Sequence, residues 1–127
     1  MNYNSLNKKL NDLKAEEIIW IIYIGIIIFS FIANYYEKNY FVKNDYASKE
    51  KYRKILILIF SILVVVYLYF LKDSIKSIIN LRNNDSKKKK YLTYMSFIAS
   101  LLIAISGFIY LYIAYSDENI DVEIAFN

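Results

Sequence analysis

Three long stretches without a charged residue constrain this chain more than any other feature. They run from 18 to 36, from 55 to 71 and from 91 to 115, and none contains Asp, Glu, Lys or Arg. As α-helices they would measure about 28, 26 and 38 Å, against a hydrocarbon core of roughly 30 Å. We therefore predict three membrane-spanning helices.

Two water-soluble folds compete with this interpretation. The β-branched run 62–66 resembles a buried strand, but such strands usually stop after about 4–8 residues at a glycine or proline. A soluble three-helix bundle would give each helix a polar face, and residues 21–28 have none. In lipid, a helix pairs all its backbone groups internally, whereas a lone strand does not. The predicted fold class is an all-α integral membrane protein.

The segments outside the spans complete the predicted domain, a single unit over 1–127. Residues 1–17 place Leu6, Leu10 and Leu13 on one helical face, which predicts a short interfacial helix that ends where the chain turns at Glu16. A frayed terminus is the alternative. We predict an external loop over 37–54, a helical extension of the second span to about residue 82, a basic turn over 83–90, and an extended acidic tail over 116–127.

The distribution of positive charge predicts the orientation. The N-terminal segment and the second connection hold ten of the sixteen Lys and Arg residues, and the first connection holds six. Cytoplasmic segments have the excess of positive charge, so the N-terminus is expected inside and the C-terminus outside. Lys87, Lys88, Lys89 and Lys90 precede the third span and are the predicted topology anchor. Their position against a span argues for this role and against nucleic-acid binding.

Small residues recur along the third span at helical spacing. Ser96, Ser100, Ala104 and Gly107 lie on one predicted face, where they would let another helix approach closely. This helix-packing face is either a seam between copies of the chain in a homo-oligomer or the internal contact of the three helices.

The tail alternates apolar residues with polar or small ones. The apolar positions are Ile120, Val122, Ile124 and Phe126. Such alternation is typical of an amphipathic strand, which would bind a partner's sheet edge or the basic segment 37–54. A disordered end with accidental alternation is the alternative.

The composition excludes several kinds of chemistry. The chain has no cysteine and no histidine, so thiol chemistry and Ser–His or Cys–His nucleophile pairs are absent. No ionisable group lies inside a span, which argues against a proton-coupled transporter. We expect no catalytic residue, no metal site and no cofactor.

These features predict a membrane protein that acts by interaction. Isoleucine, lysine, tyrosine and asparagine supply 63 of the 127 residues, and their AT-rich codons point to a bacterial genome. The expectation is a multi-pass protein of a bacterial cytoplasmic membrane, in contact with the lipid bilayer and with a protein partner or a second copy. It would be an accessory, regulatory or immunity-type subunit. A small pore former of the holin type is the alternative.

Overall fold

The computed structural model describes residues 2–124 and contains three helices in that range. They are α1 (Tyr3–Lys43, 41 residues), α2 (Tyr46–Ile79, 34 residues) and α3 (Lys87–Ser116, 30 residues). By helical rise they are about 62, 51 and 45 Å long, so each exceeds the roughly 30 Å of a hydrocarbon core. The chain is therefore all-helical apart from its connections and its tail.

The helix ends follow from capping residues in the sequence. The side chains of Asn2, Asp45 and Ser86 accept backbone N–H groups at the starts of α1, α2 and α3. Asn44 ends α1 in the left-handed region, at φ 53°, a conformation that asparagine tolerates. Because Asn44 ends α1 and Asp45 caps the start of α2, the first connection consists of these two residues.

α2 lies in the middle of the molecule and packs against both α1 and α3. The short connections make neighbouring helices antiparallel, which gives the molecule two distinct ends. We call the end with the α1–α2 turn and the tail the tail end. We call the end with the start of α3 the lysine end.

Large apolar side chains cover most of the outer surface. On α1, Ile19 and Ala33 are buried, whereas most of the isoleucines between them face outward. Each of the three helices is long enough and apolar enough to cross a membrane. Apolar surface on this scale belongs in lipid, since monomeric soluble proteins rarely expose contiguous patches of this kind. The structure thus supports three membrane-spanning helices.

The structure differs from the sequence prediction in how the helices begin and end. No break occurs at Glu16: residues 3–17 are helical, and they continue directly into the first span. No glycine, proline or capping residue occurs around Glu16, so nothing interrupts the backbone hydrogen bonds. The segment 37–54 is likewise helical except at Asn44 and Asp45, and α2 ends at Ile79, slightly before the predicted residue 82.

Candidate functional site at the tail end

A single carboxylate shapes the tail. α3 ends at Ser116, and the two carboxylate oxygens of Asp117 accept the backbone N–H groups of Asp121 (3.0 Å) and Val122 (2.8 Å). Ile120, directly before these two residues, has φ 56°, in the left-handed region that a β-branched residue rarely adopts. The Asp117 carboxylate thus accepts backbone N–H groups that follow the end of α3. The chain curls back over the end of the bundle.

The curled tail enters a buried cluster at the tail end. Ile124 is 4% exposed and Ala33 of α1 is fully buried, and both belong to the same cluster as residues of α2 and α3. The other buried members are Tyr52, Leu56, Phe60 and Ala114, and Ile120 packs against them. The space left between tail and helices is about 10 Å³, room for about one water molecule. The tail therefore joins all three helices in one packed unit.

Two cationic side chains of α2 bind the end of α3 and the tail. Arg53 donates from Nη2 to the carbonyl oxygen of Tyr115 at 3.1 Å, and Lys49 donates from Nζ to Oδ1 of Asn119 at 3.2 Å. The Tyr115 carbonyl is among the last four of α3, which have no partner within the helix. A guanidinium at that position also complements the negative end of the helix dipole.

Arg53 is held in place from a second side. Its Nη1 lies 3.8 Å from a carboxylate oxygen of Glu50, one helical turn earlier. Its Nε is buried and has no hydrogen-bond partner in the described part of the chain. The Arg53 side chain is mostly enclosed, and its positive charge interacts with the end of α3 and with the neighbouring Asp117.

The acidic groups around the tail divide into two kinds. Partial burial tends to raise the pKa of Asp117, but its hydrogen bonds from Asp121 and Val122 and the charge of Arg53 together lower it. The pKa of Glu37, at the end of α1, is raised by desolvation and by the negative charge of Glu123. Docking of the tail is thus stabilised by the Asp117 carboxylate and weakened by the repulsion between Glu37 and Glu123.

The predicted tail residues have different environments. Ile120 is half-buried and Ile124 is buried, whereas Val122 between them is 51% exposed. Phe126 lies outside the described residues. The described part of the tail, up to residue 124, contains a turn and a bend and no strand, so the predicted strand is not formed there. The left-handed Ile120 breaks the alternation that an extended chain would need.

The predicted helix-packing face divides into two halves. Ala104 and Gly107 are buried against α2, and a Cβ at Gly107 would lie 2.8 Å from Cδ2 of Tyr67. Ser96 is exposed and Ser100 is half-buried, and both line an open cavity. The close contact at Gly107 is therefore internal to one chain, which is the second of the two predicted roles.

The four anchor lysines form the first turn of α3. Lys89 lies 3.2 Å from Asp85, and Lys90 donates to the carbonyl oxygen of Asn83 at 3.1 Å. The backbone N–H of Lys89 binds the Ser86 side chain. Lys87 and Lys88 are exposed. The lysines thus lie together at the lysine end of the molecule, about one helix length from the tail.

The sequence predicted that the tail could bind the basic segment 37–54, and Lys49 of that segment does bind it. The part played by Asp117 was not predicted. An aspartate directly after a span is a recognisable signal for a capped turn. The role of Ala33 had no such signal, because only the packed structure brings it to the tail.

No other chemistry is visible at the site. Within residues 2–124, no group of three or more acidic, cysteine or histidine side chains is arranged to hold a metal ion. Neither a protein-family model, nor a characterised protein, nor a solved structure matches this chain.

Proposed function

We propose that this chain is an accessory, regulatory or immunity-type subunit of a bacterial cytoplasmic membrane, and that it acts by binding another protein. The observation that carries the proposal is the fold of the tail. The segment 117–124 is packed against the three helices, yet three of its four acidic side chains are exposed. No catalytic role is assigned to it.

The outer surface of the tail has the features of a binding surface. Glu118, Asp121 and Glu123 are exposed, and the apolar Val122 lies exposed among them. Asp117 and Arg53 fix the backbone beneath, so a partner would bind a preorganised surface with little loss of conformational entropy. The complementary partner is a protein with a basic surface that surrounds an apolar contact.

The proposed orientation places this surface outside the cell. The lysine end has a cluster of four lysines, and the tail directly after α3 has only acidic charges. Under the positive-inside rule the lysine end is cytoplasmic, with the N-terminus inside and the C-terminus outside. Two of the six positive charges that oppose this assignment are engaged within the molecule, Lys49 by Asn119 of the tail and Arg53 by the end of α3.

A pore of the holin type is the second candidate, and one observation favours it. Four residues with hydroxyl groups line cavities beside α2: Tyr23, Ser30, Tyr67 and Ser100. An oligomer that brought these cavities together would surround an aqueous path with them. Ile124 and the tail, however, fill the space between the helices at the tail end. That packing favours a binding subunit over a pore.

Photocrosslinking in growing cells tests the binding proposal. A crosslinking amino acid at Asp121 should yield one discrete adduct with another protein. The same probe at Val42, which is also exposed at the tail end, should not. Charge reversal by Glu118→Lys should weaken the adduct at position 121. Equal adducts from both positions, or adducts only with a second copy, would contradict the proposal.

Two further measurements separate the remaining alternatives. Induction of the protein should leave the membrane potential intact, whereas a collapse would favour the pore. Alkaline phosphatase fused after Asn127 should be active, and the same enzyme fused after Asn84 should be inactive. The opposite pair of activities would reverse the proposed orientation.

A further inference from the structure

Three neighbouring cavities follow α2 from the lysine end toward the middle of the molecule. Its first cavity, about 490 Å³, lies at the start of α3, and Ser77 and Ser96 are shared with a second cavity of about 240 Å³. Tyr23 and Tyr67 are in turn shared with a third cavity of about 470 Å³. The shared residues place the three cavities side by side along α2, on its α3 side at the lysine end and on its α1 side farther along, and we treat them together as one groove.

The chemistry of the groove changes along its length. Lys88, Lys89 and the hydroxyl groups of Ser77 and Ser86 line the cavity at the lysine end. The third cavity is lined mainly by apolar side chains. These are Ile26, Ile27, Phe31, Ile59, Phe60 and Leu63. A groove that is cationic at one end and apolar at the other matches an amphiphile with an anionic head.

The dimensions of the groove suit a lipid better than a helix. From Ser77 to Ile59, α2 rises by about 27 Å, comparable with the roughly 20–22 Å of one leaflet with its headgroups. The third cavity holds about 470 Å³. A helix about 10 Å across fills roughly 400 Å³ in a single turn, so the cavity has room for little more than one turn. A lipid chain is narrow enough to follow the path.

The charge at the lysine end favours an anion. Residues 72–90 include seven positive charges and two acidic residues, Asp73 and Asp85. Asp85 is paired with Lys89, and Asp73 lines the second cavity, farther along the groove. The side chain of Lys88 makes no hydrogen bond or ion pair within the described chain. Lysines in the first turn of a helix also oppose its dipole, and an anion bound there would offset that cost.

We infer that this groove binds one anionic phospholipid from the leaflet at the lysine end. The phosphate lies beside Lys88 and Ser86, and one acyl chain runs past Ser96 toward Phe60. The site is independent of the tail, at the opposite end of the molecule. It would make the lysine cluster a lipid site as well as a topology anchor.

Native mass spectrometry of the full chain in detergent tests the headgroup contact. The probe is an equimolar mixture of phosphatidylglycerol and phosphatidylcholine with identical acyl chains. We expect one phosphatidylglycerol per chain in preference to phosphatidylcholine. Lys88→Gln should lower this preference about fivefold, the effect of one lysine near an anionic headgroup. Lys87→Gln removes the same charge outside the groove and should leave the preference unchanged. Equal losses in both variants would overturn the site.

A second pair of variants tests the acyl chain. Ser96→Leu narrows the groove without a change of charge, and Ser96 is exposed, so a larger side chain has room there. It should reduce bound lipid several-fold. Ala99→Leu, an exposed neighbour outside the groove, should not. Undiminished binding in Ser96→Leu would show that the lipid is held by its head alone, and the groove proposal would fail.

Discussion

The two ends of this molecule differ in what fills the space between the helices. At the tail end, the tail fills the space between the three helices and buries residues from each of them. At the lysine end, no residue of α3 from 87 to 103 is buried in the structure. The helices at this end leave an open groove instead. One end is closed by the tail, and the other is left open.

This contrast shows what burial means for helices in a membrane. Lipid chains are as apolar as leucine, so a large apolar side chain gains little by moving from lipid to protein. The buried positions on α1 and α3 are accordingly mostly small residues, Ala33, Ala104, Gly107 and Ala114, where helices approach closely. Larger buried residues are concentrated on α2, which has a neighbour on both sides.

The largest effect is expected in the closed end, at Phe60. Its side chain is 1% exposed and stacks on Tyr110, with ring centroids 5.4 Å apart. Phe60→Ala should lower the free energy of unfolding by roughly 3–4 kcal/mol, because a cavity replaces the ring. Phe108→Ala, on the exposed face of α3, is the control. Unfolding in mixed micelles by titration with a denaturing detergent measures both. Similar losses would mean that Phe60 packs no better than a lipid-facing ring.

The second prediction tests the border between the closed and open regions. A side chain at Gly107 would meet the Tyr67 ring at 2.8 Å, so Gly107→Leu should push α3 away from α2. The expected cost is about 2–3 kcal/mol, as for other overpacked contacts. Ile103→Leu, one turn earlier and 49% exposed, should be tolerated. Equal tolerance of the two substitutions, measured as thermal stability in detergent, would place the small-residue face in lipid.

The helices themselves could be predicted from the sequence. Uncharged length identified three spans, and Ser86 was recognisable as the cap of α3 because it follows a turn signal and precedes an uninterrupted run. The joining of residues 3–17 to the first span was missed because local amphipathicity does not reveal where a helix ends. Only a breaking residue does, and none is present near Glu16.

The tail could not be predicted in the same way. Alternation over eight residues favours a strand, but the Asp117 carboxylate competes for the backbone N–H groups that a strand would offer to a partner. The resulting curl depends on Ala33, which lies more than eighty residues earlier in the sequence. A contact of that range has no periodic signal in the tail itself.

The third prediction tests whether the tail end is closed by the tail. Ile124→Ala should free the tail at a cost of about 2 kcal/mol, at the low end for a buried isoleucine because one side of the site is at the surface. Hydrogen exchange at the amides of Asp121 and Val122 should then accelerate about thirtyfold. Val122→Ala, at the exposed position between Ile120 and Ile124, should change the exchange rates little. Fast exchange in the unmodified protein would show that the tail is not docked.

The smallest effect expected is a pH dependence of tail docking. Desolvation and the charge of Glu123 raise the pKa of Glu37 above the ordinary glutamate value of 4.5, so the docked tail binds that proton more tightly than the free tail. Docking should strengthen as the pH falls from 7 through this raised pKa. The pKa of Asp117 is lowered below 3.8, so its contribution is present above that value and is lost in stronger acid. Docking should be strongest between about pH 3.8 and 4.5.

Matched variants test whether the repulsion between Glu37 and Glu123 contributes to this pH dependence. Glu37 is half-buried, and the solvent that still reaches it screens its charge. This limits the change to about two- to threefold in amide exchange at Val122 between pH 7 and 4.5, after correction for intrinsic rates. Glu37→Gln should abolish the change, because it removes the titrating group. Glu123→Gln should only reduce the change, because desolvation still raises the pKa of Glu37. Glu118→Gln removes the same charge elsewhere on the tail and should retain the full change. If all three variants respond alike, the pH dependence reflects the net charge of the tail, and the close approach of Glu123 to Glu37 plays no part in how this end of the molecule closes.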